Sequence, residues 1–199
     1  MSQQDLLNDI IAILRKLGIE FMLSGSHASS LQGEVRATHD IDLVVKLSLE
    51  NVDALFDSLN VDRFYLNKSA MIKAIETKRM FNIIEVKSGE KVDFWMLTDN
   101  PFDESRFSRR QKFDIGELVV DVSSPEDTIL MKLHWCQQSG GSEKQLHDVM
   151  RVYELQADLL DMEYIHKWVA ELGVGDLWQR VLDESDPYIP PPRLAGNED

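Results

Sequence analysis

One cysteine, Cys136, leaves this chain no internal disulfide to form, so stability has to come from a packed core. Long apolar runs are missing too. Every hydrophobic stretch is broken by charge well short of the roughly 20 residues that span a bilayer, which argues against membrane insertion. The opening MSQQDLLNDIIAILRK has neither the basic start nor the small-residue cleavage site of an export signal, and this predicts a cytoplasmic protein. Positive charge is scarce: 21 Lys and Arg face 35 Asp and Glu, a formal net charge of −14. Broad, sequence-blind attraction to nucleic acid relies on many cations meeting phosphates, so it is disfavoured, while a cationic small-molecule substrate stays open. The densest positive cluster, Arg106, Arg109, Arg110 and Lys112 in SRFSRRQKF, reads as a solvated loop or helix face. The five histidines, His27, His39, His134, His147 and His166, make no H-x-x-x-H pair and no Cys–His zinc pattern. Cys136 has no evident activating base and reads as a packed residue. Internal repeats and low-complexity tracts are absent from the sequence as well.

What is present suffices for one compact domain, or one domain with a small helical appendage. Leu6, Ile10, Ile11, Ile13, Leu14 and Leu17 recur at helical spacing, and Gly18 follows where a helix would end. Residues 19–24, rich in strand formers and stopped by Gly25, read as a strand, and HASSLQG as a short helix after a tight turn. HDIDLVVKL reads as a second strand and ENVDALFDSLN as a helix. MFNIIEVK and EKVDFWML read as a strand pair joined by a turn at Ser88-Gly89-Glu90. Helices dominate after GELVVDVSS. Ser124 caps and Pro125 opens one in EDTILMKLHWCQ, and EKQLHDVMRVYELQ and MEYIHKWVAELG follow beyond Ser139-Gly140-Gly141-Ser142. The predicted organisation is α+β: a mixed-sheet core with flanking helices over residues 1–122, a C-terminal helical region packed on it over 123–185, and a Pro-rich flexible tail over 186–199. Trp95, Trp135, Trp168 and Trp178 are assigned to the core or to the join of sheet and helices.

The stretch LSGSHASSLQGEVRATHDIDLVV poses the functional question. Side chains at i and i+2 of a strand share one face, about 6.6 Å apart, so Asp40 and Asp42 look the same way out of an apolar run. Two buried carboxylates repel each other and suffer desolvation, so they need compensating cations or protons. Mg²⁺ meets that need with a few carboxylate oxygens, water and substrate phosphates. The competing reading is an amphipathic strand with both aspartates in water and Ile41 inward. Ahead of the pair, Gly25 lets an anion approach the backbone, Ser26 offers a hydroxyl, and the following helix aims free N–H groups at a phosphate. An ordinary strand-to-helix turn accounts for the same two residues.

Taken together, the order strand, Gly25-Ser26, short helix, then Arg36-x-Thr38-x-Asp40-Ile41-Asp42 resembles the nucleotidyltransferase superfamily, and more narrowly the AbiEii-type toxin nucleotidyltransferases and their relatives. Further on, SPEDTILMKL and KQLHDV are similar to that family's later segments, so the likeness covers residues 23–149. The resemblance implies that Gly25 and Ser26, with Arg36 and Thr38, hold the triphosphate of an NTP. It also implies that Asp40 and Asp42 carry Mg²⁺, with two ions expected and Mn²⁺ as a substitute. Lys132 would contact phosphate and Asp148 would bind or orient a reactant. Asp93 in EKVDFWML is the third carboxylate by the same likeness, a metal ligand and general base. On the residues alone, Lys132 gains from an anionic partner among apolar neighbours or snorkels to solvent, and Asp148 is exposed or pairs with Arg151 one turn along.

The expected function is Mg²⁺-dependent transfer of an NMP group from an NTP to an acceptor hydroxyl. The resemblance implies tRNA or another macromolecule as acceptor, in a toxin–antitoxin or defence setting with a cognate antitoxin. The alternatives are a small-molecule nucleotidyltransferase of the aminoglycoside or lincosamide kind and, from another class, a non-catalytic nucleotide-binding or partner-binding module.

Overall fold

The computed structural model describes residues 3–35, 38, 40–116 and 118–187. The sequence-based assignments for Arg36, His39 and almost all of the Pro-rich tail therefore lie outside the described residues. Among those described, seven strands form one mixed sheet in the order β3-β4-β5-β2-β1-β7-β6. They are β1 (Phe21–Leu23), β2 (Asp40–Val45), β3 (Phe64–Tyr65), β4 (Met80–Glu85), β5 (Lys91–Met96), β6 (Gln111–Ile115) and β7 (Leu118–Val122). The β2/β5 and β1/β7 pairs are parallel, and the other neighbours are antiparallel.

One face of the sheet carries the core. Alternation sends Ile41, Leu43 and Val45 of β2 and Val92, Phe94 and Met96 of β5 to that side. There they meet α1 (Gln3–Lys16), α3 (Val52–Ser58) and α4 (Lys68–Thr77) through Leu6, Ile10, Ile11, Leu14, Leu55 and Met71. α1 forms because its apolar residues fall on one stripe, while Asp5 near its start and Arg15 and Lys16 at its end complement the helix dipole. Gly18, at φ +66°, closes it.

The opposite face is more polar, and a second apolar cluster covers it. That cluster is built from α5 (Pro101–Ser108), α6 (Pro125–Gln138), α7 (Glu143–Gln156), α8 (Met162–Leu172) and α9 (Gly175–Glu184), with Phe102, Leu130, Leu133, Val149, Ile165, Trp168 and Trp178 inside. α6 starts as its sequence requires. Ser124 Oγ accepts from the Asp127 N–H at 3.2 Å and donates to Asp127 Oδ2 at 2.7 Å, with Pro125 in the first turn. Such a cap is worth about 1 kcal/mol.

Two sequence readings change. The strand read over 19–24 is three residues long, and the helix α2 (Gly25–Gln32) begins at Gly25 with no separate turn. The basic cluster is not solvated as a whole: Arg106 is buried against Asp103 at 2.7 Å, and Arg110 pairs with Glu20 at 2.9 Å. Arg109 lies 3.8 Å from the Tyr164 ring centroid and 3.2 Å from Glu126, leaving only Lys112 in water.

Candidate active site

Backbone pairing assembles the site. β1 runs antiparallel to β2 with Leu23 opposite Leu43, and the next N–H, of Ser24, donates to the Asp42 carbonyl at 2.9 Å. The Gly25-Ser26 segment therefore sits beside Asp42 by topology. On the other side of β2, the parallel register sets Asp42 against Asp93 and Asp40 against Lys91. Side-chain alternation then places Asp40, Asp42, Lys91, Asp93 and Trp95 on the face away from the main core.

α2 is a poor helix former by composition, GSHASSLQ, and tertiary contacts hold it in place. Gln32 Nε2 donates to the Ser123 carbonyl at 2.5 Å, and Gln156 Nε2 donates to the Gln32 carbonyl at 2.9 Å. Gly25 is held most tightly of all. Its φ is +61°, and a Cβ there would lie 2.1 Å from Asp42 Oδ2, 2.6 Å from its Cγ and 2.8 Å from its Cβ. The Asp42 carboxylate thus packs directly on the Gly25 backbone, which only glycine permits.

These residues border a cleft of about 620 Å³ between the sheet, α5 and α6. Its lining includes Ser24, Gly25, Ser26, Asp42, Asp93 and Lys132, together with Met80, Trp95, Asp103, Met131, His134 and Trp135. Trp95 links Asp42 to α6: its Nε1–H donates to Asp42 Oδ1 at 3.1 Å, and its ring meets Trp135 edge-on at 4.6 Å. Asp40 stands one pleat outside the lining, half-exposed, and reaches Asp93 through Lys91. Lys91 Nζ lies 2.9 Å from Asp93 Oδ2 and 3.5 Å from Asp40 Oδ2.

Burial pushes the Asp42 carboxyl above the usual range despite the Trp95 hydrogen bond, and the charge of Asp40 adds to the rise. Asp93 is raised for the same first reason, against the pull of Lys91. Asp93 Oδ1 is buried and has no hydrogen-bond partner among the described residues. The acidic face is therefore under-compensated, and its hard oxygen donors suit a divalent cation. Among the described residues, however, no three His, Cys, Asp or Glu side chains stand ready to hold a metal, and Lys91 lies between two of the three carboxylates. The donor set thus fits a cation that shares its coordination with water and phosphate, as Mg²⁺ commonly does, rather than one caged by protein.

Of the other sequence-derived residues, Lys132 lines the cleft without snorkelling. Its Nζ is buried, 2.7 Å from Asp148 Oδ2 and 3.1 Å from Gln145 Oε1. Asp148 does not pair with Arg151, which reaches Glu34 and Glu154 instead. It stands behind Lys132 and lines a separate recess of about 90 Å³. Thr38 lies outside the cleft lining, its Oγ1 donating to the Asp40 carbonyl at 3.3 Å, and Arg36 is not among the described residues. Sequence reasoning missed Lys91 and Trp95 as site residues. The signal was there, since KVDFW puts Lys91, Asp93 and Trp95 on one strand face at steps of two.

No protein-family model matches the chain, and no curated protein does. Solved structures do. The crystal structure of ANT(2″)-Ia in complex with adenylyl-2″-tobramycin superposes with a TM-score of 0.57 at 14% identity, covering 88% of this chain and 99% of that one. The lincosamide antibiotic adenylyltransferase LnuA, lincomycin-bound, gives a TM-score of 0.53 at 10% identity, covering 78% of this chain and 98% of that one. At such identities the likeness is one of architecture, and the chain accordingly has a nucleotidyltransferase-like fold.

Proposed function

We propose that this protein is a Mg²⁺-dependent nucleotidyltransferase that moves an NMP group from an NTP to an acceptor hydroxyl. The observation that carries the proposal is the packing of Asp42 on Gly25 at a spacing no side chain tolerates, in the cleft that Asp93 and Lys132 also line. Gly25 and Ser26, at the start of α2, and the Lys132 ammonium hold the phosphates, with Asp148 positioning Lys132 from behind. Asp40, Asp42 and Asp93 would hold the divalent metal, with two ions expected. When bound, the metal neutralises charge on the transferring phosphoryl group. Asp93, which lines the cleft, accepts the acceptor's hydroxyl proton. The acceptor oxygen bonds to the α-phosphorus as the bond to the bridging oxygen breaks, and pyrophosphate leaves. Orientation and charge stabilisation supply the rate gain, with no protein nucleophile.

Two acceptor classes compete. A small molecule is favoured by the cleft itself, whose lining includes Trp95, Trp135, Met80 and Met131, and by a net charge of −14 that repels polyanions. The two neighbours described above, whose bound molecules are an adenylylated tobramycin and lincomycin, point the same way. A macromolecular acceptor such as tRNA, with toxin–antitoxin function and an antitoxin partner, rests on the AbiEii-type sequence resemblance. The arginines that would have made a basic platform are consumed in internal pairs.

The test is transfer of α-labelled NTP to panels of small cationic molecules, cellular RNA and proteins, with and without Mg²⁺. Metal-dependent labelling of a small molecule supports the first reading, and labelling of RNA the second. Metal-independent nucleotide binding with no labelled acceptor would assign a non-catalytic binding module.

A further inference from the structure

The charge arrangement around Asp93 leads past the reaction to how the site is kept when no metal is bound. Three carboxylates share one sheet face, and one of them, Asp93, is 5% exposed with a buried oxygen that has no hydrogen-bond partner among the described residues. Isolated negative charges in that setting are costly. The sequence answers with a lysine two residues before Asp93, on the same face and in register with Asp40. Its ammonium bridges the outer and inner carboxylates at 3.5 and 2.9 Å. The ammonium therefore stands where a cation shared by Asp40 and Asp93 would stand. No closed cluster of metal-ligating side chains coexists with it among the described residues. The side chain is nevertheless 30% exposed and ends a flexible four-carbon stem, so a path to solvent is open without moving the backbone.

We propose that Lys91 is a built-in counter-ion: it neutralises the acidic face while the metal is absent and swings to solvent when a divalent cation binds, so that it sets the metal affinity of the site. This rests on the reading of Asp40, Asp42 and Asp93 as the metal-binding carboxylates. An ion pair that keeps about nine-tenths of the molecules in the closed arrangement weakens apparent metal affinity about tenfold. Removing the charge releases that brake. Lys91 also holds the carboxylates together in the metal-free protein, so its loss lowers stability without metal and the deficit closes once metal is saturating.

The experiment is Mn²⁺ binding to the full chain without nucleotide, followed by the electron spin resonance of the free ion, for wild type, K91M, K91R and D42N. Lys91→Met should bind Mn²⁺ about tenfold more tightly than wild type, and Lys91→Arg no more tightly than wild type. Equal or weaker binding by Lys91→Met overturns the inference. On wild type alone, acylation of the Lys91 amine, read by mass spectrometry, should rise when Mn²⁺ is saturating. Unchanged labelling overturns the inference even where Lys91→Met does not fold. The two readings fail separately. Mn²⁺ binding that Asp42→Asn leaves intact defeats the carboxylate metal site, and the Lys91 proposal with it. Asp42-dependent binding that Lys91→Met does not tighten defeats the Lys91 proposal alone.

Discussion

Replacing Gly25 by alanine tests the contact on which the site is built. At φ +61° an alanine is held in the left-handed region, which costs roughly 1–2 kcal/mol. The new methyl also meets Asp42 at 2.1 Å (Oδ2), 2.6 Å (Cγ) and 2.8 Å (Cβ). Rotating the carboxylate relieves the first two contacts. The third belongs to the strand itself and is relieved only by separating α2 from β2. Overpacking of this kind costs about 1–3 kcal/mol, so Gly25→Ala should lose about 2–5 kcal/mol in all. The assay is urea unfolding as a double-mutant cycle with Asp42→Gly, which removes all three contacted atoms. In that background Gly25→Ala should cost only the backbone share, leaving a coupling of about 1–3 kcal/mol. Equal costs in the two backgrounds, or a total below about 1 kcal/mol, would show that the carboxylate does not pack on the glycine.

Three further outcomes follow from the same geometry. Asp42→Asn should abolish transfer yet stabilise the protein at neutral pH by roughly 0.5–2 kcal/mol, the usual trade at an active site. Because the folded pKa of Asp42 is raised, wild type loses stability as pH climbs from the ordinary carboxylate range through the folded value. The gain in thermal midpoint of Asp42→Asn should therefore shrink towards pH 3–4, and a gain independent of pH would contradict the burial argument. Lys132→Met breaks the buried pair with Asp148 and should cost up to about 3–5 kcal/mol, measured by denaturant unfolding, whereas Lys132→Met with Asp148→Leu should recover part of that stability and none of the activity. Tyr164→Phe removes the hydroxyl that donates to Asp127 at 2.7 Å and should cost about 1–3 kcal/mol while leaving transfer nearly unchanged, which thermal melts and the labelled-NTP assay read separately.

Much of this was legible in the chain because the signals are local. Ser124-Pro125 announces α6, the alternation of Ile41, Leu43 and Val45 announces β2, and Ser88-Gly89 marks the β4–β5 turn. Gly25, Asp42 and Asp93 each stand out in the sequence, and the sheet order brings them to one cleft. Other elements escaped for physical reasons. α4 buries only Met71 and Ala74, too few to set a period, and β6 is a polar strand at the edge of the sheet. α5 does carry a local signal, Asn100 capping ahead of Pro101 in the first turn. Charge pairing was the least readable. Lys132 and Asp148 sit on different helices, 16 residues apart, and Arg109 finds Tyr164 on a third. Nothing in local pattern distinguishes such buried partners from solvated charges.

Calorimetric titration of NTP into the protein, with Mg²⁺ present and with all divalent cations chelated, tests most directly whether one cleft holds both triphosphate and metal. Wild type should bind NTP only with Mg²⁺, and Asp42→Asn should lose that binding while keeping its fold. Equal affinity in the chelated sample, or unaltered Mg²⁺-dependent binding in Asp42→Asn, would contradict the account.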